Sequence, residues 1–188
     1  QHVVGVSFIV DRPEIHFFDP DAEREQLSLG DTLKAELGVP VSFGPVSMST
    51  DGARQILRVS SEQQPPVYYL YDRKVRMLVR LFEQRPAIRR QDLSSTRRVD
   101  FEARDGLPIP AYLTLPSGVE PKKLPAIALV HGGPWSRDWI DWDPEVQLLA
   151  SRGYAVLQVN FKGSSGLGAA HLQAGYREWG QKIQDDIT

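Results

Sequence analysis

Cysteine is missing from all 188 residues. That excludes disulfides, thiol nucleophiles and thiolate metal sites, and leaves both cytosol and periplasm open as compartments. No apolar run reaches the length of a membrane span, and no basic-then-apolar stretch opens the chain, so neither a spanning helix nor a signal peptide is expected in it. An excess of positive charge is also lacking: the net charge is −2 with a pI near 6.1, which argues against nucleic acid or an anionic membrane as the main partner. Histidine is sparse, and no H-E-x-x-H spacing occurs; His2, His16 and His171 are expected to be structural or exposed, with no metal. The chain opens on Gln1 rather than Met and stops at Thr188 just past Asp185 and Asp186, inside a helical pattern, so both ends read as internal to something longer.

What remains is ordinary globular material, with 41% hydrophobic and 24% charged residues. Its charges are unevenly placed. Residues 11–36 hold eight acids against three bases, and 73–98 hold nine bases against two acids, a pattern expected of complementary or solvated faces. The first half carries an internal echo at an offset of 53, where Val6-Ser7, Pro13 and Asp19 return as Val59-Ser60, Pro66 and Asp72, and IHFFD answers YYLYD. A period near fifty fits a four-stranded propeller blade. The second copy predicts strands over 46–49, 55–60, 67–71 and 75–82, and alternation puts Ile56, Val75, Met77, Val79 and Leu81 on inward-facing or between-blade positions. A plain antiparallel sheet of another fold is the alternative. Between the copies, Asp19 followed by Pro20 starts a helix, Leu29, Leu33 and Leu37 recur along one side, and Gly38 closes it.

Past Arg85-Pro86 the strand pattern fades, and residues 86–98 read as a connector. A hairpin over 99–103 and 110–115 turns at Asp105-Gly106. Strands at 124–130 and 154–160 then alternate with a helix capped by Asp143 and Pro144 and closed by Gly153, the order of an α/β sheet with crossovers. The first of these strands delivers the turn His131-Gly132-Gly133-Pro134. Glycine-rich turns after a buried strand build oxyanion holes in serine hydrolases, where fixed N–H donors stabilise the charge that grows on the attacked carbonyl oxygen. Such enzymes need a serine on a G-x-S-x-G elbow, and no window of the chain supplies one. The run 163–166 fails as an elbow because Leu167 stands where the second glycine belongs, and fails as a phosphate loop because no G-K-[ST] follows.

The stretches HGGPWSRD at 131–138, PEVQLLASRGYAVLQVNFKGSSGLG at 144–168 and REWGQKIQDDIT at 177–188 closely resemble the S9 prolyl oligopeptidase family, in its acylaminoacyl-peptidase-like and dipeptidyl-peptidase-like branches. That resemblance implies the last one to two blades of a β-propeller over 1–85, the connector 86–98, and the N-terminal half of an α/β-hydrolase peptidase domain over 99–188. It implies a serine peptidase hydrolysing short peptides or acylated peptide amino termini through an acyl-enzyme, without metal or cofactor, whose Ser, Asp and His all follow Thr188. The 188 residues alone are then expected to be inactive. By the same resemblance Gly133 offers an oxyanion-hole amide within the turn made with His131 and Gly132. His131 either contributes an imidazole donor or only holds the turn, and it is not the triad histidine. Trp135, Trp139 and Trp142 stand beside this turn, where Trp135 and Trp139 either line a substrate pocket or pack the loop onto the sheet. Where Lys162 stands, the family usually has arginine, so the charge is kept without the planar fork. Asp185 and Asp186 are expected to partner a helix dipole near a helix start. Expected partners are the peptide substrate, the remainder of the hydrolase domain and propeller, and a second copy where sheet edges stay open. An esterase or lipase of the same fold, and a non-catalytic propeller binding module, are the alternatives.

Overall fold

A computed structural model describes residues 3–188, so the reading of His2 falls outside the described residues. They divide into two units: residues up to 7 with 13–93, and residues 8–12 with 94–188.

In the first unit, β1 (Gly5–Ile9) and β2 (Pro13–Phe17) pair as a ribbon whose turn belongs to the second unit. Helix α1 follows over Pro20–Leu37. Its ends are those the sequence predicts. Asp19 accepts the amides of Asp21 and Ala22 at 2.8 and 3.2 Å, and Gly38 in the left-handed region returns its own amide to Lys34. Strands β3 (Ser42–Met48), β4 (Arg54–Ser61), β5 (Gln64–Asp72) and β6 (Met77–Glu83) then form a four-stranded antiparallel meander in chain order.

Of the two positions expected for Ile56, Val75, Met77, Val79 and Leu81, the inward-facing one is not observed, because another face of the meander packs on α1. Leu57, Val59, Val67, Tyr69 and Tyr71 pack with Leu33 of α1 into the core, flanked by Leu29 and Leu37. Ile56, Leu70 and Val79 are aligned on the opposite face, which also carries Met77; Val75 lies in the turn before β6, and Leu81 sits at the irregularity in the β5–β6 register. Val75, Met77, Val79 and Leu81 are all exposed. The physical reason is that β5 and β6 carry large apolar side chains in both phases, and the helix settles on the phase that also holds Leu57 and Val59 of β4, where the other phase of β4 carries Arg54 and Arg58. The uneven charges are complementary in part: Glu25 and Glu36 of the acidic helix meet Arg73 and Arg80 at 2.5 and 3.6 Å.

The first unit ends past a 3₁₀ turn (Arg90–Asp92), and the second resumes with β7 (Thr96–Glu102), which begins inside the span read as connector. Leu93 and Ser94 are buried rather than solvated. Next come β8 (Pro108–Thr114), β9 (Ala126–Leu129), α2 (Pro144–Ser151), β10 (Ala155–Val159), α3 (Ala169–Ala174) and the four-residue α4 (Lys182–Asp185). The sheet runs β7-β8-β10-β9, antiparallel except for the β10–β9 pair. That parallel pair is joined by the α2 crossover. Its carboxyl ends therefore open side by side, and the loops 130–142 and 160–168 leave from the same edge.

Candidate active site

The turn after β9 is built around Gly133. Its φ of +137° lies where side chains are disfavoured, and a Cβ there would stand 2.7 Å from the Trp135 amide nitrogen and 2.9 Å from that of Ser136. Among the described residues no acceptor engages the Gly133 amide. The neighbouring Gly132 carbonyl is engaged, by His131 Nδ1 at 2.9 Å, and His131 Nε2 stands 2.9 Å from Ser164 Oγ. Because the partner of Nδ1 is an acceptor, Nδ1 carries the proton of the neutral ring, and Nε2 accepts the Ser164 hydroxyl. The imidazole stacks on Phe161 at 4.4 Å between centroids.

Behind the turn lies a layer that sequence reasoning missed. Asn160, wholly buried at the end of β10, accepts the Asp138 amide at 2.8 Å and donates to the Asp138 carbonyl at 3.1 Å. Arg137 is buried and donates to the carbonyls of Ile9, Val10 and Gly166 and to the Tyr112 hydroxyl. Ser165 donates its amide to the Ser136 carbonyl at 2.9 Å. These bonds tie the two loops together over separations of more than twenty residues, so no local pattern announces them. A polar residue closing an apolar strand, Asn160, was the one visible signal. The Asp138 carboxyl is raised above its ordinary range, chiefly by burial, and its Oδ2 is buried without a hydrogen bond.

Trp135 is 64% exposed and meets Tyr176 edge-on at 6.5 Å; Trp139 is 39% exposed and Trp142 half-buried. Tyr176 was not singled out in the sequence. His171 is buried with Nε2 on the Phe161 carbonyl at 3.0 Å, and His16 lies exposed against Phe18.

Lys162 and the paired acids form a separate cluster. The lysine is buried, with Nζ 3.0 Å from both Asp105 Oδ2 and Asp186 Oδ1, while its amide donates to Asp186 Oδ2. Burial pulls the ammonium pKa down, but the two carboxylates more than offset it, leaving it above its ordinary value. The expected dipole role of Asp185 and Asp186 is corrected here. Asp185 lies in the single turn of α4 and Asp186 is its C-cap, so no extended helix starts at them, and they are held instead by Arg104 and Lys162 respectively. Among the described residues no three His, Cys, Asp or Glu side chains converge to hold a metal ion, and no helix is long and apolar enough to cross a membrane.

Residues 140–188 match the sequence model of the prolyl oligopeptidase family. Over 167 residues the chain is 38% identical to dipeptidyl aminopeptidase BIII of Pseudoxanthomonas mexicana, a match covering 82% of this chain and 24% of that protein. The similarity is thus to the prolyl oligopeptidase family, whose sequence model matches residues 140–188. Dipeptidyl peptidase family member 6 of Caenorhabditis elegans is likewise 38% identical, over 78% of this chain and 23% of its own length. Among solved structures, the Pyrococcus horikoshii acylaminoacyl peptidase superposes with a TM-score of 0.60 at 26% identity, covering 79% of this chain and 24% of its own. A Mycobacterium tuberculosis puromycin-hydrolyzing peptidase gives 0.61 at 27% identity, over 72% and 22%. The chain thus spans about a quarter of the length of these prolyl oligopeptidase relatives.

Proposed function

We propose that the intact protein is a serine-type peptidase acting on short peptides or acylated peptide amino termini, and that the Gly133 amide is one donor of its oxyanion hole. The observation that carries this reading is an N–H group with no acceptor among the described residues, in the turn that follows a sheet strand, at a glycine whose backbone tolerates no Cβ. A tetrahedral adduct places its negative oxygen about 3 Å from such donors, and each donor stabilises it by roughly 3–4 kcal/mol. His131 holds the turn rather than pointing at substrate, since both its ring nitrogens are engaged. The exposed rings of Trp135 and Trp139 supply apolar surface for a substrate side chain. The meander β3–β6 is read as the last propeller blade and the sheet β7-β8-β10-β9 as the first half of the hydrolase domain, with boundaries near 85 and 99. The nucleophile, its base and its acid are supplied by residues other than these 188, in which no G-x-S-x-G occurs.

The test compares the intact protein with the isolated 188 residues, using peptide-amide and ester substrates and a serine-directed phosphonate. Amide turnover and stoichiometric labelling of the intact protein, with neither in the isolated chain, is the expected result. Turnover of esters alone, or stoichiometric labelling of the isolated chain, would overturn the reading.

A further inference from the structure

We propose that Ser164 is a positioning residue for the oxyanion amide, acting through His131; this rests on the reading of Gly133 as an oxyanion donor. The Gly132 carbonyl and the Gly133 amide belong to one planar peptide unit, so they point in opposite directions. Holding the carbonyl on one side aims the N–H to the other. That peptide is flanked by two glycines, whose wide φ/ψ freedom leaves its plane free to turn unless something tethers it. The tether is His131 Nδ1–H, 2.9 Å from the Gly132 carbonyl oxygen.

The imidazole in turn needs its own orientation fixed. One face lies on Phe161, and Nε2 accepts the Ser164 hydroxyl at 2.9 Å. Ser164 is wholly buried, and its amide donates to the Phe161 carbonyl at 3.0 Å, so the hydroxyl starts from a rigid loop. The next residue, Ser165, binds the Ser136 carbonyl, and the loop 160–168 therefore grips the turn at both ends. The hydroxyl bond also selects the ring tautomer, because it occupies Nε2 with a donor and leaves Nδ1 protonated toward Gly132.

A serine 2.9 Å from an imidazole also has the appearance of an activated nucleophile. Two features oppose that role for Ser164. Its side chain has no exposure through which an acyl carbon could approach, and the histidine is oriented by an adjacent carbonyl rather than by a carboxylate.

Ser164→Ala in the intact protein should lower kcat for a peptide amide about tenfold, less than the loss of the donor itself, with little change in KM. A peptide aldehyde, whose serine adduct carries the oxyanion, should bind more weakly by the same factor. Ser164→Cys, of similar size and still a weak donor, should recover part of the loss. His131→Phe keeps the ring stack and removes both nitrogens; it should cost at least as much as Ser164→Ala, and adding Ser164→Ala to it should cost almost nothing more. An unchanged kcat in Ser164→Ala, an undiminished effect of that substitution in the His131→Phe background, or a phosphonate found on Ser164 would each overturn the role. If Ser164→Ala does not fold, His131→Phe with unchanged kcat and aldehyde affinity overturns it equally. An intact wild-type protein inactive toward peptide amides would instead sink the underlying peptidase reading.

Discussion

Replacing Gly133 by alanine puts a methyl group 2.7 Å from the Trp135 amide nitrogen, a contact that no rotamer relieves because the obstacle is backbone. The turn must open, and under the proposed function its amide leaves the place assigned to the oxyanion. Gly133→Ala in the intact protein should therefore lower kcat by about a hundredfold with a smaller change in KM, the pattern of an interaction made mainly in the transition state. Equal kcat in steady-state peptide-amide assays would refute the assignment. Asp138 yields a prediction about pH. Its folded-state pKa is raised, so its stabilising contribution is complete below the unfolded value and declines as pH climbs through the folded one. Asp138→Asn removes that decline. The variant and the parent should melt together near pH 3 and diverge above it, the variant becoming the more stable by neutral pH, in thermal scans across roughly pH 3 to 8. Parallel curves would show that the carboxyl is not destabilised by burial. His131, Asp143, Arg137 and Gln158 are the groups acting on it, and none of them reverses the net direction. Of these residues Gly133, His131, Trp135 and Asp143 are legible in the sequence, because a glycine turn and a helix cap are local; Asp138 and Ser164 acquire their roles from loops that meet only after β9 and β10 pair.

At the scale of elements, legibility followed how local each determinant is. Both ends of α1 stand where Asp19, Pro20 and Gly38 put them, and α2 begins at Asp143 and Pro144 for the same reason. Caps act within a turn, and the residues that specify them are the residues that perform them. The face of the meander was not legible in this way. Ile56 and Leu57 are adjacent apolar residues of opposite phase, and choosing between them depends on α1 docking from twenty or more residues away. The paired strands also disguise a defect, since the register slips between Tyr68 and Tyr69 and carries Leu81 out of alternation. A direct comparison tests the observed face. Leu33→Ala, in a wholly buried position against Val59 and Tyr69, should lose about 2–5 kcal/mol in chemical denaturation. Met77→Ala on the other face should stay within about 0.5 kcal/mol of the parent, as exposed positions do. A reversal of that order would mean the helix sits on the wrong side of the sheet.

For the whole chain, the echo at an offset of 53 falls on strands in both copies. Val6-Ser7 and the first three residues of IHFFD fall in the β1–β2 ribbon as Val59-Ser60 and YYLYD fall in β4 and β5, and among the described residues two strands precede α1. A repeat visible in sequence marks related strands; after the first pair the next element is α1, where the second copy continues into β6. The outer face of the meander is left open by the same arrangement. Met77 is 49% exposed, Val79 39% and Phe82 57%, with Tyr68 stacked on Phe82 at 4.7 Å, so apolar side chains share a surface that α1 does not cover. Contiguous apolar surface and unpaired strand edges favour association, and charge on them opposes it. The 188-residue chain on its own should gain mass with concentration in sedimentation velocity. Met77→Lys together with Val79→Lys should return it to the monomer, because lysine on an exposed strand keeps its hydration only while the face stays open. A chain that sediments as a monomer at every concentration, or a lysine variant that still associates, would show that this face is not what draws copies together.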